Sequence, residues 1–202
     1  MLSKLSSHIY KRRLCKKIIR GKISLLSNTV NGLDLSYMNL SKTDIRGAKL
    51  RCAILSGTNF TDAILQGSVM EGAMLQNAKF QDANLIYVNF TGANLRGANL
   101  RNANIYNTNF TGADLSYADL TGVKVDRTTN FTNANLTKTK LNIEKINLAC
   151  TTGATITVSS MYERFCYRLG LVSQIKINPQ KILPIVPQDH VSRSNTTIPF
   201  YQ

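Results

Sequence analysis

The stretch ANLRGANLRNANIYNTNF (93–110) places a large apolar residue at every fifth position: Leu95, Leu100, Ile105 and Phe110. Each is preceded two places earlier by a small residue, Ala93, Ala98, Ala103 or Thr108. Five suits neither common element. Such a spacing drifts around a helix that turns every 3.6 residues, and it changes sides on a strand that alternates every two. Only a backbone that bends at regular intervals keeps these residues on one side.

The same register extends in both directions. Counting from Leu35 in fives to Val125, and from Phe131 to Ile156 after one inserted residue, 24 of 25 positions are apolar, Thr151 being the exception. Two places earlier, 22 of 25 positions hold Ala, Ser, Thr or Val. The inserted residue falls within TGVKVDRTTNF (121–131). Asn or Asp often precedes the large residue, and nine of the twelve glycines stand two places after it. Gly and Asn tolerate the positive φ of a tight turn, so each unit of five reads as a short extended piece and a corner.

Four corners close a coil of about 20 residues, and stacked coils pair at the strand spacing of roughly 4.8 Å. The aromatic residues support that count. Phe60 and Phe80 are 20 apart, as are Phe90 and Phe110, and Phe131 follows at 21 across the insertion. They predict two ring stacks on opposite sides of a shaft filled by the large and small residues, Leu95 and Leu100 among them. The other three positions of each unit face solvent.

The units ANLRG, ANLRN, ADLSY and ANLTK resemble the A-[DN]-L-x-x motif of the pentapeptide repeat family. The resemblance spans roughly residues 33–157 and implies an all-β solenoid, a right-handed quadrilateral β-helix of about six coils. At the strand spacing this is a rod about 29 Å long.

Around it, residues 1–32 read as a basic N-terminal arm or cap, 158–171 as a capping helix and 172–202 as an extended or disordered tail. SSMYERFCYRLGL (159–171) carries the helix signals: Ser160 and Glu163 form a capping box, and Gly170 follows the last apolar position. All four prolines lie in the tail.

The net charge of +14 is unevenly spread. Residues 1–30 hold eight Lys and Arg and no acid, whereas residues 31–156 hold 12 basic and 9 acidic residues. Lys11, Arg12, Arg13, Lys16, Lys17 and Arg20 are therefore candidates for contact with a nucleic acid or an anionic surface. An organelle targeting segment is a further reading of the same residues. Without one, the four cysteines, which form no C-x-x-C pair, point to free thiols in a reducing compartment, the cytoplasm.

Catalysis needs convergent polar groups in a concave site, and a filled shaft offers none. The repeat contains no His, no Gly-rich phosphate loop and no metal-ligand cluster. The expectation is a protein that is not an enzyme, with no cofactor, no metal and no small-molecule substrate. What remains is surface. Ile64, then Ile86 and Tyr87, then Tyr106 recur on one side, coil after coil, as a stripe for an unidentified protein partner.

The resemblance also brings in topoisomerase binding by mimicry of DNA, which depends on an acidic rod. Here the repeat is slightly basic, which disfavours that reading. Homodimerisation through the C-terminal helix and tail stands as an open alternative.

Overall fold

A computed structural model describes residues 32–142, 146, 149–156 and 176–177. The chain winds into a four-sided coil. Every extended piece is so short that most pair as single bridged residues, all parallel. The first face stacks Asp34, Ile54, Met74, Asn94, Asp114 and Asn135, and it ends in three two-residue strands. These are β1 (Asn135–Leu136), β2 (Thr155–Ile156) and β3 (Lys176–Ile177), in sheet order β1-β2-β3. β3 lies within the segment read from the sequence as tail. The second face runs from Asn39 to Lys140, the third from Asp44 to Lys124 and the fourth from Lys49 to Cys150.

Bridge partners are 20 residues apart until Asn104↔Lys124; the next, Asn109↔Asn130, are 21 apart. The extra residue thus sits between Lys124 and Asn130, at the corner of the third and fourth faces. Asp126 secures that wider turn by accepting the N–H of Thr128 at 3.0 Å and the Thr128 hydroxyl. These bonds, the hydroxyl's foremost, hold its carboxyl below the usual range.

Backbone pairing is continuous between coils. Asn84 donates its N–H to Ala63 of the preceding coil at 2.9 Å, and Leu85 donates to Asn104 of the next at 2.8 Å. Each turn closes with a bond from the small residue to the carbonyl three before it, as from Ala98 to Leu95 at 2.9 Å. The third turn residue is left-handed, for example Gly97 at φ 68° and Asn102 at φ 58°. Gly97 is doubly constrained, because a Cβ there meets Asn77 Oδ1 of the preceding coil.

The Asn and Asp that precede the large residues clamp these turns. Their Oδ1 accepts the N–H two residues on: Asp114 from Ser116 at 2.9 Å, Asn94 from Arg96 at 3.1 Å. Along the corner of the fourth and first faces the clamps join into a ladder. Thr91 donates to Asn89, Asn109 donates to Thr91, Thr111 donates to Asn109, and Asn130 donates to Thr111.

The shaft is lined by one continuous cluster of buried apolar residues. Leu95, Leu100, Phe60, Phe80, Phe90, Phe110 and Phe131 have no exposed surface. Phe60 stacks on Phe80 at 5.1 Å between ring centres. Phe110 stacks on Phe90 at 5.2 Å and on Phe131 at 4.9 Å. The stacks arise from the second and fourth faces, which are opposite sides. Phe80 also meets Phe90 edge-on at 5.8 Å, joining them across the shaft. At Thr58 and Thr108 the hydroxyl reaches a carbonyl of the preceding coil, Leu35 at 2.8 Å and Leu85 at 2.7 Å, whereas Thr43 bonds Leu40 of its own turn at 2.6 Å. Among the described residues no buried side-chain N or O lacks a partner.

Candidate interaction surfaces

Because the interior is filled, chemistry on this molecule is confined to its faces and corners. At the corner of the third and fourth faces, Gly67 donates its N–H to the Ile86 carbonyl at 2.9 Å, and Tyr87 donates to the Tyr106 carbonyl at 3.1 Å. The backbone therefore holds Ile86, Tyr87 and Tyr106 in adjacent coils, about 4.8 Å apart along the rod. Tyr87 is 60% exposed, Tyr106 36% and Ile64, on the third face below them, 38%. Ile86 is half-buried. The structure thus brings the four residues of the stripe to one side.

Tyr87 has φ 61°, a conformation that costs a non-glycine residue about 1–2 kcal/mol. It occupies the slot that glycine fills at Gly67, yet it carries a bulky ring into solvent.

Two further tyrosines share that slot at the corner of the first and second faces, and the sequence reading did not single them out. Tyr37 is 83% exposed at φ 58°, with its ring where a Cβ on Gly57 would stand. Tyr117 is 47% exposed at φ 61° and lies among cations. The Arg96 guanidinium is 4.4 Å from its ring centre, and Lys138 Nζ is 5.0 Å from the ring centre and 3.1 Å from the hydroxyl. The Lys138 hydrogen bond, followed by its charge, draws the phenol's pKa down. A signal was present: tyrosine in a position otherwise given mostly to Gly, Asn, Asp or Lys, with Cys52 as the further exception. Counting by coil also places residues 97, 117 and 138 at one slot, with Arg96 one residue before it.

The ion pairs on the outside include Arg46–Asp44 at 2.7 Å, Arg51–Glu71 at 2.7 Å and Arg101–Asp119 at 3.5 Å. Cys52 and Cys150 are exposed free thiols. Hydrogen bonding, first from the Thr132 hydroxyl 3.4 Å away, lowers the Cys150 pKa. Among the described residues no group of three His, Cys, Asp or Glu is placed to hold a metal ion, and no helix is long and apolar enough to cross a membrane. Lys11, Arg12, Arg13, Lys16, Lys17 and Arg20, and the segment expected to form the capping helix, lie outside the described residues.

The pentapeptide repeats family matches residues 31–67, 53–92 and 89–127, in eight copies. Among solved structures, QnrB1, a plasmid-mediated fluoroquinolone resistance protein, is 17% identical with a TM-score of 0.51; the match covers 74% of this chain and 79% of that one. A pentapeptide repeat protein from the thylakoid lumen of Arabidopsis thaliana is 29% identical over 57% of this chain and 73% of that one, with a TM-score of 0.31. HetL, a pentapeptide repeat protein involved in heterocyst differentiation regulation from the cyanobacterium Nostoc, is 30% identical over 64% and 69%, with a TM-score of 0.25. No curated protein matches the chain. Members of the family are generally non-catalytic scaffolds. The five-residue register, the four ladders of parallel bridges and the eight matched copies together make this chain a pentapeptide repeat protein, with that family's right-handed quadrilateral β-helix.

Proposed function

We propose that the chain is a non-catalytic scaffold that binds a protein partner through the corner of the third and fourth faces, with Ile64, Ile86, Tyr87 and Tyr106 as the contact. One observation carries the reading: Tyr87 holds an exposed ring on a left-handed backbone, where glycine is free of that cost. Among the described residues its ring has neither an aromatic nor a cationic neighbour to compensate. Apolar and aromatic side chains from three successive coils suit the buried centre of a protein interface, where Tyr is enriched and Lys depleted.

The test is the double substitution Tyr87→Asp with Tyr106→Asp. Both side chains point outward, so melting is unchanged while capture of the partner is lost. Capture at the wild-type level removes this corner from consideration.

A further inference from the structure

The second face of the rod has a different chemistry. From residue 76 onward, the second face and its two corners present Lys79, Arg96, Arg101, Lys138 and Lys140, all exposed, against the carboxylates of Asp82 and Asp119. The other outward residues there are Asn, Gln, Gly, Ser and Thr, with Tyr117 as the single aromatic. Lys79 and Lys140 are three coils apart on one ladder, Lys79↔Asn99, Asn99↔Asp119 and Asp119↔Lys140. At the strand spacing the cations therefore span about 14 Å of the rod.

Two of these cations are held in place. Arg96 lies over the Tyr117 ring and brings Nη1 to 3.5 Å from Ser116 Oγ; Lys138 donates to the Tyr117 hydroxyl from the coil above. The exposed ring at φ 61° has its counterpart here: it organises a guanidinium and an ammonium that stay open to solvent. Asp119 engages Arg101 at 3.5 Å and has only 18% of its side-chain surface exposed, so the outward charge is dominated by the cations.

We propose that this strip, organised by Tyr117, binds the phosphate backbone of a nucleic acid without reading its sequence. Protein interfaces have apolar centres and few lysines, whereas surfaces that bind nucleic acid are polar and strongly positive. This strip matches the second description and the Tyr87 corner matches the first. A guanidinium held over a ring also fits phosphate better than a freely moving cation, since its planar fork pairs with two oxygens.

The experiment uses the full chain and a fluorescein-labelled 20-base-pair duplex of arbitrary sequence, with binding read by anisotropy across a salt series. Each phosphate contact contributes about −0.9 to the log–log slope. Lys79→Ser with Lys140→Ser, and separately Arg96→Gln with Lys138→Gln, each reduce the magnitude of the slope by roughly two contacts; melting stays at the wild-type temperature in the first pair and falls slightly in the second, which loses its contacts with Tyr117. Substituting Lys11, Arg12, Arg13, Lys16, Lys17 and Arg20 by Ser leaves the decrement caused by either pair intact. Unchanged affinity and slope in both pairs overturns the proposal and places any binding elsewhere on the chain. Displacement of the duplex by poly-glutamate at equal charge concentration also overturns it, in favour of an acidic protein.

Discussion

Inside the shaft, every coil repeats the one before it; at the corners, each coil differs. Large residue follows large residue on all four sides of the interior, from Leu35 to Leu136, with exposure between 0% and 8%. The corner of the third and fourth faces changes from Gly67 to Tyr87 to Asn107 at one slot. Coils stack only when their interiors match, so the interior is constrained to uniformity and specifies shape. The corners carry no such constraint, and individuality of the molecule resides there.

The sharpest break in this comparison is Leu100→Asp. It places a carboxylate in a shaft with no partner for it, at a cost beyond about 4 kcal/mol, and the middle coils lose their cooperative melt. A melt unchanged by this substitution removes the register. Phe110→Ala follows, because it empties a ring from the middle of the Phe90–Phe110–Phe131 stack; a loss of about 3–5 kcal/mol is expected in denaturant unfolding.

The two tyrosines then separate binding from stability. Tyr87→Gly relieves a left-handed backbone and loses no ring or cation contact, so the protein gains up to about 1–2 kcal/mol while partner capture falls. Tyr117→Gly relieves the same strain but releases Arg96 and Lys138, and its net change is the smaller of the two. A finer effect concerns Cys150. Its thiolate is favoured foremost by the Thr132 hydroxyl, so Thr132→Val moves the pH midpoint of Cys150 alkylation upward. Arg101→Ala, one residue from Leu100 but outward, changes stability by less than about 1 kcal/mol, as expected for an exposed ion pair.

The interior was legible because burial forces periodicity. Leu95, the Phe60 and Phe110 stacks and the inserted residue before Phe131 all followed from counting in fives and twenties. The corners were legible only where glycine and asparagine announce a left-handed backbone. Tyr37, Lys42, Cys52 and Tyr117 adopt the same conformation although their residue types do not favour it; only their place in the five-residue register marks them, and the stacked coils impose it. The turn clamps were visible as a composition, Asn or Asp before the large residue, but their action through Oδ1 on the N–H two residues on depends on backbone geometry. Tyr117 and Lys138 share a slot that counting by coil finds, whereas the reach of Arg96 from the neighbouring slot to the Tyr117 ring depends on side-chain geometry.

The most direct test of the division between shape and partner is site-specific photo-crosslinking in cells. A benzophenone side chain is placed at Tyr87 in one protein and at Thr111, on the Asn–Thr ladder, in another. The account predicts a discrete adduct with one protein from position 87 and none from position 111. Equal adducts at both positions, or an adduct at 111 alone, contradict it.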